Sequence, residues 1–113
     1  MKPAFETERL RVFKLDLERP DCDGEEMAVT VYHAYDKNQF YQHHPAIECT
    51  TWSDSTYVLW IELRHSKPRT GIATELLNGI VEFMKFTSPM GSDLDNEGSK
   101  GVFAKHEEWF RSR

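Results

Sequence analysis

Apolar residues follow two rhythms along this chain. Up to residue 63 they alternate with polar ones or run together, as strands do. From residue 72 they recur at three- and four-residue spacing, as helices do. Residues 9–17 predict a first strand, with Phe13 out of step with strict alternation. Residues 18–25, ERPDCDGE, predict a polar turn around Pro20 and Gly24. Met27, Val29, Val31 and His33 alternate with Ala28, Thr30, Tyr32 and Ala34, which predicts a second strand. A polar-aromatic loop over 36–45 and a short strand over 46–52 come next. Tyr57, Val58, Leu59, Trp60 and Ile61 are apolar on both faces, the pattern of a central strand covered on two sides. Ile72, Leu76, Leu77, Ile80, Phe83 and Met84 then mark one stripe of an amphipathic helix. Pro89 and Gly91 put a loop over 87–93, with room for one short strand. A last helix over 96–110 carries Val102, Phe103, Trp109 and Phe110 on one broad face, with Asp95 as its expected cap. These elements predict a single α+β domain over 1–113, sandwich-like, without repeats or interdomain linkers.

Composition frames that reading without redirecting it. The chain has 113 residues, 39% hydrophobic and 12% aromatic, enough for one modest core. Fourteen basic residues against nineteen acidic ones leave a net charge of −5. With no basic run, that balance argues against a nucleic-acid-binding surface. Cys22 and Cys49 form neither a metal-type spacing nor a disulfide framework. No apolar signal segment opens the chain and no apolar run reaches membrane length, so the expectation is a soluble, cytoplasmic protein with no membrane partner.

Candidate chemistry concentrates between the last predicted strand and its helix. Lys67, Pro68, Arg69, Thr70, Gly71, Ile72 and Ala73 form a basic turn that runs into the helix start. Gly71 lets backbone approach a ligand closely, and a helix N-terminus offers unpaired N–H groups to an anion. The turn is a candidate cradle for a pyrophosphate, with Lys67 and Arg69 supplying positive charge. Strand, then R/Q-x-x-G-x-G/A, then helix resembles the acyl-CoA-binding signature of the GNAT superfamily of N-acyltransferases. Here Pro68 stands at the first basic position, with Arg69 displaced by one. The step of eight residues from Leu63 to Gly71 also resembles the family. Asn96, Ser99, Val102 and Lys105 match N-x-x-S-x-x-V-x-x-K of the branch that acetylates ribosomal-protein N-termini (RimJ/RimL-like), and residues 6–12 resemble that branch's first strand.

The resemblance implies a mixed, mostly antiparallel sheet with a central acyl-CoA-binding strand–turn–helix and a C-terminal helix. It also implies acetyl-CoA as the acyl donor, no metal, and an amine acceptor on a protein or small molecule. The implied donor-binding residues are Leu63, Arg69, Thr70, Gly71, Ile72, Ala73, Thr74 and Asn96. A backbone N–H between residues 61 and 63 would hold the thioester carbonyl. Glu62 is then the implied general base, and Ser99 the implied acid for the leaving thiolate. His65, just past the strand, titrates near neutrality as a free side chain and is a second base candidate. Phe103 stands where many family members carry a proton-donating tyrosine. Relative to the family, two helices between the first and second strands are missing, the fifth strand is abbreviated, and the last strands have no room. A second copy or a heteromeric partner would supply the missing edge, since open strand edges invite pairing.

Other constellations carry less. Asp93, Asp95 and Gly98 imitate the start of an EF-hand loop, but Ala104 occupies the position that needs a bidentate Glu. His33, His43, His44, His65 and Cys49 follow no ligand spacing. Tyr32, Tyr35, Phe40, Tyr41 and Trp52 read as packing residues, given the acidic charge. Two functions follow from the sequence. One is N-acetyl transfer from acetyl-CoA to an amine. The other is a catalytically degenerate relative that binds and regulates another protein.

Overall fold

The computed structural model describes residues 2–20, 22–39, 43–64, 70–94 and 96–113. Six strands form one sheet in chain order: β1 (Phe5–Glu6), β2 (Leu10–Pro20), β3 (Glu26–Asp36), β4 (Ile47–Trp52), β5 (Tyr57–Leu63) and β6 (Gly91–Ser92). All neighbours are antiparallel except β5 and β6, which are parallel because α1 (Ile72–Met84) crosses over between them. The second helix, α2 (Glu97–Arg111), closes the described chain.

Both helices cover the same face of the sheet. Leu10 and Val12 of β2, Tyr32 and Ala34 of β3, and Ile47 and Cys49 of β4 meet Ile72, Leu76, Leu77, Ile80 and Val81 of α1 in one buried core. Val102, Phe103, Trp109 and Phe110 of α2 pack against that core from the side, as their shared face predicts. Each fully buried aliphatic side chain there contributes about 1.5–3 kcal/mol. Gly79 is buried on α1 because a β-carbon there would lie 2.6 Å from the Phe5 ring. The missing side chain lets β1 lie against the helix.

The opposite face has no helix over it among the described residues. It carries Phe13, Leu15 and Leu17 of β2, Val29 and Val31 of β3, Trp52 of β4 and Trp60 of β5, by strand alternation. Leu15, Trp52 and Trp60 are 46%, 48% and 44% exposed. The double-sided cover predicted for 57–61 is therefore corrected to a single-sided one. The interrupted alternation at Phe13 has the same origin. On β2 the helix cover ends at Val12, although on β3 it reaches Tyr32 in the next row, opposite Lys14. Beyond Val12 the helix side of β2 turns polar with Lys14 and Asp16, while the apolar residues shift to the other side.

Two further differences have local causes. Residues 6–12 do not form one strand: the chain reverses between Glu6 and Leu10. The Thr7 N–H donates to Leu10 O at 2.8 Å, and the Leu10 N–H donates to Thr7 Oγ1 at 3.0 Å. The cap of α2 is Asn96, whose Oδ1 accepts from the Ser99 N–H at 2.8 Å. Asp95, the expected cap, lies outside the described residues, as do Phe40 and Tyr41.

Candidate functional site

Pairing between β5 and β6 is confined to Tyr57 with Gly91 and Val58 with Ser92, yet β5 runs on to Leu63. A cleft of about 560 Å³ opens where the two strands part. Ile61 and Leu63 form its floor with Ile47. The start of α1, from Thr70 to Thr74, makes one wall, and Asn96, Ser99, Val102 and Lys105 make the other.

The backbone of β5 presents hydrogen-bonding groups to this opening. The Arg64 N–H donates to Ala46 O at 2.8 Å, so Glu62 and Trp60, two and four residues earlier, also turn their backbone groups toward β4. By alternation, the N–H groups of Ile61 and Leu63 point away from β4, toward the side that β6 has left. A bulge steps the register by one residue, with Thr50 opposite Trp60 but Thr51 opposite Val58. Leu59 is the extra residue, and it brings Val58 into the core on the same side as Ile61.

Two helix N-termini meet the cleft, and they differ. α2 closes its own first turn through Asn96. α1 begins at Gly71, with φ 81° and ψ 3°, and no side chain caps it. Its first backbone bond is Glu75 N–H to Gly71 O at 3.0 Å, so the N–H groups of Ile72, Ala73 and Thr74 have no acceptor within the helix. The positive φ is what demands glycine at residue 71.

The uncapped start is held from outside by Arg9, at the turn between β1 and β2. Arg9 Nη1 donates to Thr70 O at 2.8 Å and Nε to Glu75 Oε1 at 2.8 Å, while its backbone N–H reaches Glu75 Oε2 at 3.0 Å. Thr7 Oγ1 donates to Glu75 Oε2 as well. Partial burial opposes ionisation of Glu75, but the hydrogen bonds from Thr7 and Arg9 and the Arg9 charge outweigh it, and the carboxyl is held below its usual range.

Of the residues singled out in the sequence, Leu63, Thr70, Gly71, Ile72, Ala73, Thr74, Asn96 and Ser99 converge on the cleft. Glu62 does not line it. Alternation turns Glu62 to the open face of the sheet, where its Oε2 lies 3.4 Å from Arg64 Nη2. Arg64 also reaches Glu48, which lies 3.2 Å from His33 Nδ1. Arg69, Lys67, Pro68 and His65 lie outside the described residues. Phe103 packs on the core and is not part of the cleft wall. The residues that sequence reasoning missed are Arg9, Thr7 and Glu75. More than sixty positions separate Arg9 from Glu75, so no local pattern announces the clamp.

Behind the cleft, His106 joins the two helices to the segment that leads into β6. It is fully buried, its Nε2 accepts from the Met90 N–H at 2.9 Å, and Nδ1 lies 2.7 Å from Asn78 Oδ1. That arrangement needs the neutral ring, with the proton on Nδ1. Burial pushes its pKa down to about 4. Burial also pushes the Cys49 thiol up to about 12, which makes it an inert core group.

Among the described residues no group of three or more His, Cys, Asp or Glu side chains is placed to hold a metal ion. No helix among them is long and apolar enough to cross a membrane. No protein-family model, no curated protein and no solved structure matches this chain.

Proposed function

We propose that the cleft binds an acyl-CoA and that the protein transfers the acetyl group of acetyl-CoA to an amine. The observation that carries this reading is the parting of β5 from β6 beside an uncapped helix start. It leaves N–H donors without partners among the described residues on one wall of the cleft, at the start of α1, and along its β5 floor. The N–H groups at the start of α1 suit a pyrophosphate, whose charge the helix dipole also favours. The N–H groups of Ile61 and Leu63 suit a thioester carbonyl, where they would receive the negative charge that develops on oxygen during attack. The volume suits the acyl-pantetheine arm, with the nucleotide end outside the cleft.

In this reading the amine approaches from the open face of the sheet, where Glu62 lies. Its nitrogen attacks the carbonyl carbon, the C–N bond forms, and the C–S bond breaks. The amine proton passes to Glu62, directly or through water, and the thiolate leaves with a proton from solvent or from Ser99. Ser99 stands on the first turn of α2, its N–H engaged by Asn96, and a serine hydroxyl is by nature a weak acid. Phe103, with no proton to give, favours the second reading: a cleft that still binds acyl-CoA, in a protein that regulates a partner instead of turning over.

Calorimetric titration with acetyl-CoA, for the wild type and for Gly71→Trp, tests the shared premise. Micromolar binding that the variant loses supports the cleft. No heat at millimolar ligand sinks both readings. Turnover of an amine panel that Glu62→Gln slows separates the enzyme from the regulator.

A further inference from the structure

Two glycines line the cleft on α2, Gly98 and Gly101, and no contact within the described residues accounts for them. Gly79 of α1 has such a contact, the Phe5 ring pressed against it. At Gly101 a β-carbon would meet nothing within 4 Å, and at Gly98 only Asn96 Oδ1, at an ordinary 3.6 Å. Neither has the positive φ that demands glycine at residue 71. Glycine in the body of a helix is destabilising relative to alanine. Gly101 therefore weakens α2 while serving neither its packing nor its backbone.

Two polar side chains on the same wall also lack partners. Ser99 is 8% exposed and lines the cleft. Asn96 takes its N–H, but its hydroxyl has no hydrogen-bond partner among the described residues. Lys105 lines the cleft as well, and its ammonium has no carboxylate at ion-pair distance among the described residues. The other charged residue of the lining is Glu97, at the start of α2 and about 12 Å from Lys105 along the helix axis. Residues 98, 101 and 105 share one side of the helix by their spacing. They make a stripe of bare backbone that ends in a cation, with the Ser99 hydroxyl beside its beginning.

We propose that this stripe is a binding wall. The pantetheine arm of the acyl-CoA lies flat on the backbone of Gly98 and Gly101, the Ser99 hydroxyl hydrogen-bonds one of its amides, and Lys105 pairs with an anionic group of the same ligand. The wall so assigned rests on the acyl-CoA reading and gives the cleft a second anion seat, across from the start of α1. A helix without β-carbons lets a thin, unbranched arm reach van der Waals contact with its backbone. An unpaired ammonium beside an apolar floor attracts an anion more strongly than one in open water. Two parts of the ligand carry suitable charge: a phosphate of the nucleotide end, or a carboxylate that ends the acyl group, as in a succinyl thioester.

Urea unfolding and calorimetric titration with acetyl-CoA, succinyl-CoA and uncharged pantetheine test it together. Gly101→Leu should raise the unfolding midpoint, because leucine is the better helix former and its β-carbon meets nothing, yet weaken acetyl-CoA binding about tenfold. An unchanged affinity overturns the glycine wall. So does a lowered midpoint, which marks a glycine needed by the fold. Ser99→Ala should weaken all three ligands alike, and equal binding to the wild type removes Ser99 from the wall. Lys105→Gln should weaken binding about tenfold and flatten its salt dependence. A loss shared by both thioesters and spared in pantetheine assigns Lys105 to a phosphate, and a loss confined to succinyl-CoA assigns it to a carboxylate. A loss that extends to pantetheine, or no loss at all, overturns the anion seat. A wild type that binds none of the three overturns the acyl-CoA reading and this wall with it. Wild-type binding that the Gly101 and Lys105 variants both retain overturns the wall alone.

Discussion

The two helices begin within one cleft and solve the same problem differently. Each start leaves backbone N–H groups without helical partners. α2 engages the Ser99 N–H with Asn96 from its own sequence, a side-chain cap of the usual kind. α1 starts at a glycine that has no side chain to offer, and a residue from a distant turn, Arg9, holds the loop by its carbonyl instead. Arg9 takes up Thr70 O and Glu75 but leaves the N–H groups alone. The difference teaches how to tell a start that is finished from one that is kept available. A cap consumes donors, whereas a carbonyl clamp fixes their position and leaves them free.

Four changes would break or sharpen this contrast. The largest effect on stability belongs to His106, which keeps the two helices in step through Asn78 and Met90. Its neutral form is favoured in the folded state, while the unfolded chain titrates near pH 6.5. The stability it contributes is therefore complete above about pH 6.5 and is lost as the pH falls toward 4, on the order of 3 kcal/mol in all. Urea unfolding across that pH window should show the slope, and His106→Ala should flatten it while lowering stability by a similar amount at neutral pH. A wild-type curve level from pH 7 to 4.5 would contradict the buried neutral ring.

Gly71→Trp comes next. A bulky residue at φ 81° strains the turn, and its side chain starts 3.4 Å from Arg9 Nη2. Acetyl-CoA affinity should fall about 100-fold, or 2.7 kcal/mol, by calorimetry. Removing the clamp with Arg9→Ala should cost about 1–2 kcal/mol in urea unfolding, since a partly buried ion pair and a hydrogen bond to Thr70 disappear together. It should also weaken acetyl-CoA binding, because the donors would no longer be held in place. Asn96→Ala, by contrast, should cost about 1 kcal/mol of stability and shift affinity by less than threefold. If Asn96→Ala reduced affinity as much as Gly71→Trp, the contrast between the two starts would be wrong.

Much of this arrangement was readable in residues that act locally. Periodicity marked α1 from Ile72 to Met84, because each buried position on its stripe reports the core directly. Gly71 announced the turn, whereas the cap of α2 was expected at Asp95 and stands one residue later, at Asn96. What alternation could not report was which face the helices cover. Residues 27–34 alternate between two sets that are both largely apolar, and only the packing of α1 on Tyr32 and Ala34 decides between them. The reversal at Thr7 was hidden because its turn uses a threonine hydroxyl and no glycine or proline. The clamp by Arg9 was hidden by distance along the chain.

The one-residue step at Leu59 has a consequence for how this sheet tolerates length change. Losing Val58 or Ile61 would draw Leu59 or Trp60 into its place in the core as the bulge closes. Loss of Leu59 itself would remove the residue that β4 has no counterpart for, and Thr51 would still meet Val58 while Thr50 met the tryptophan. A scan of single-residue deletions through 57–63 should therefore find the loss of Leu59 among the soluble, folded variants. That survivor would have a straighter strand and a narrower gap beside α1, a graded way to ask how wide the opening must be.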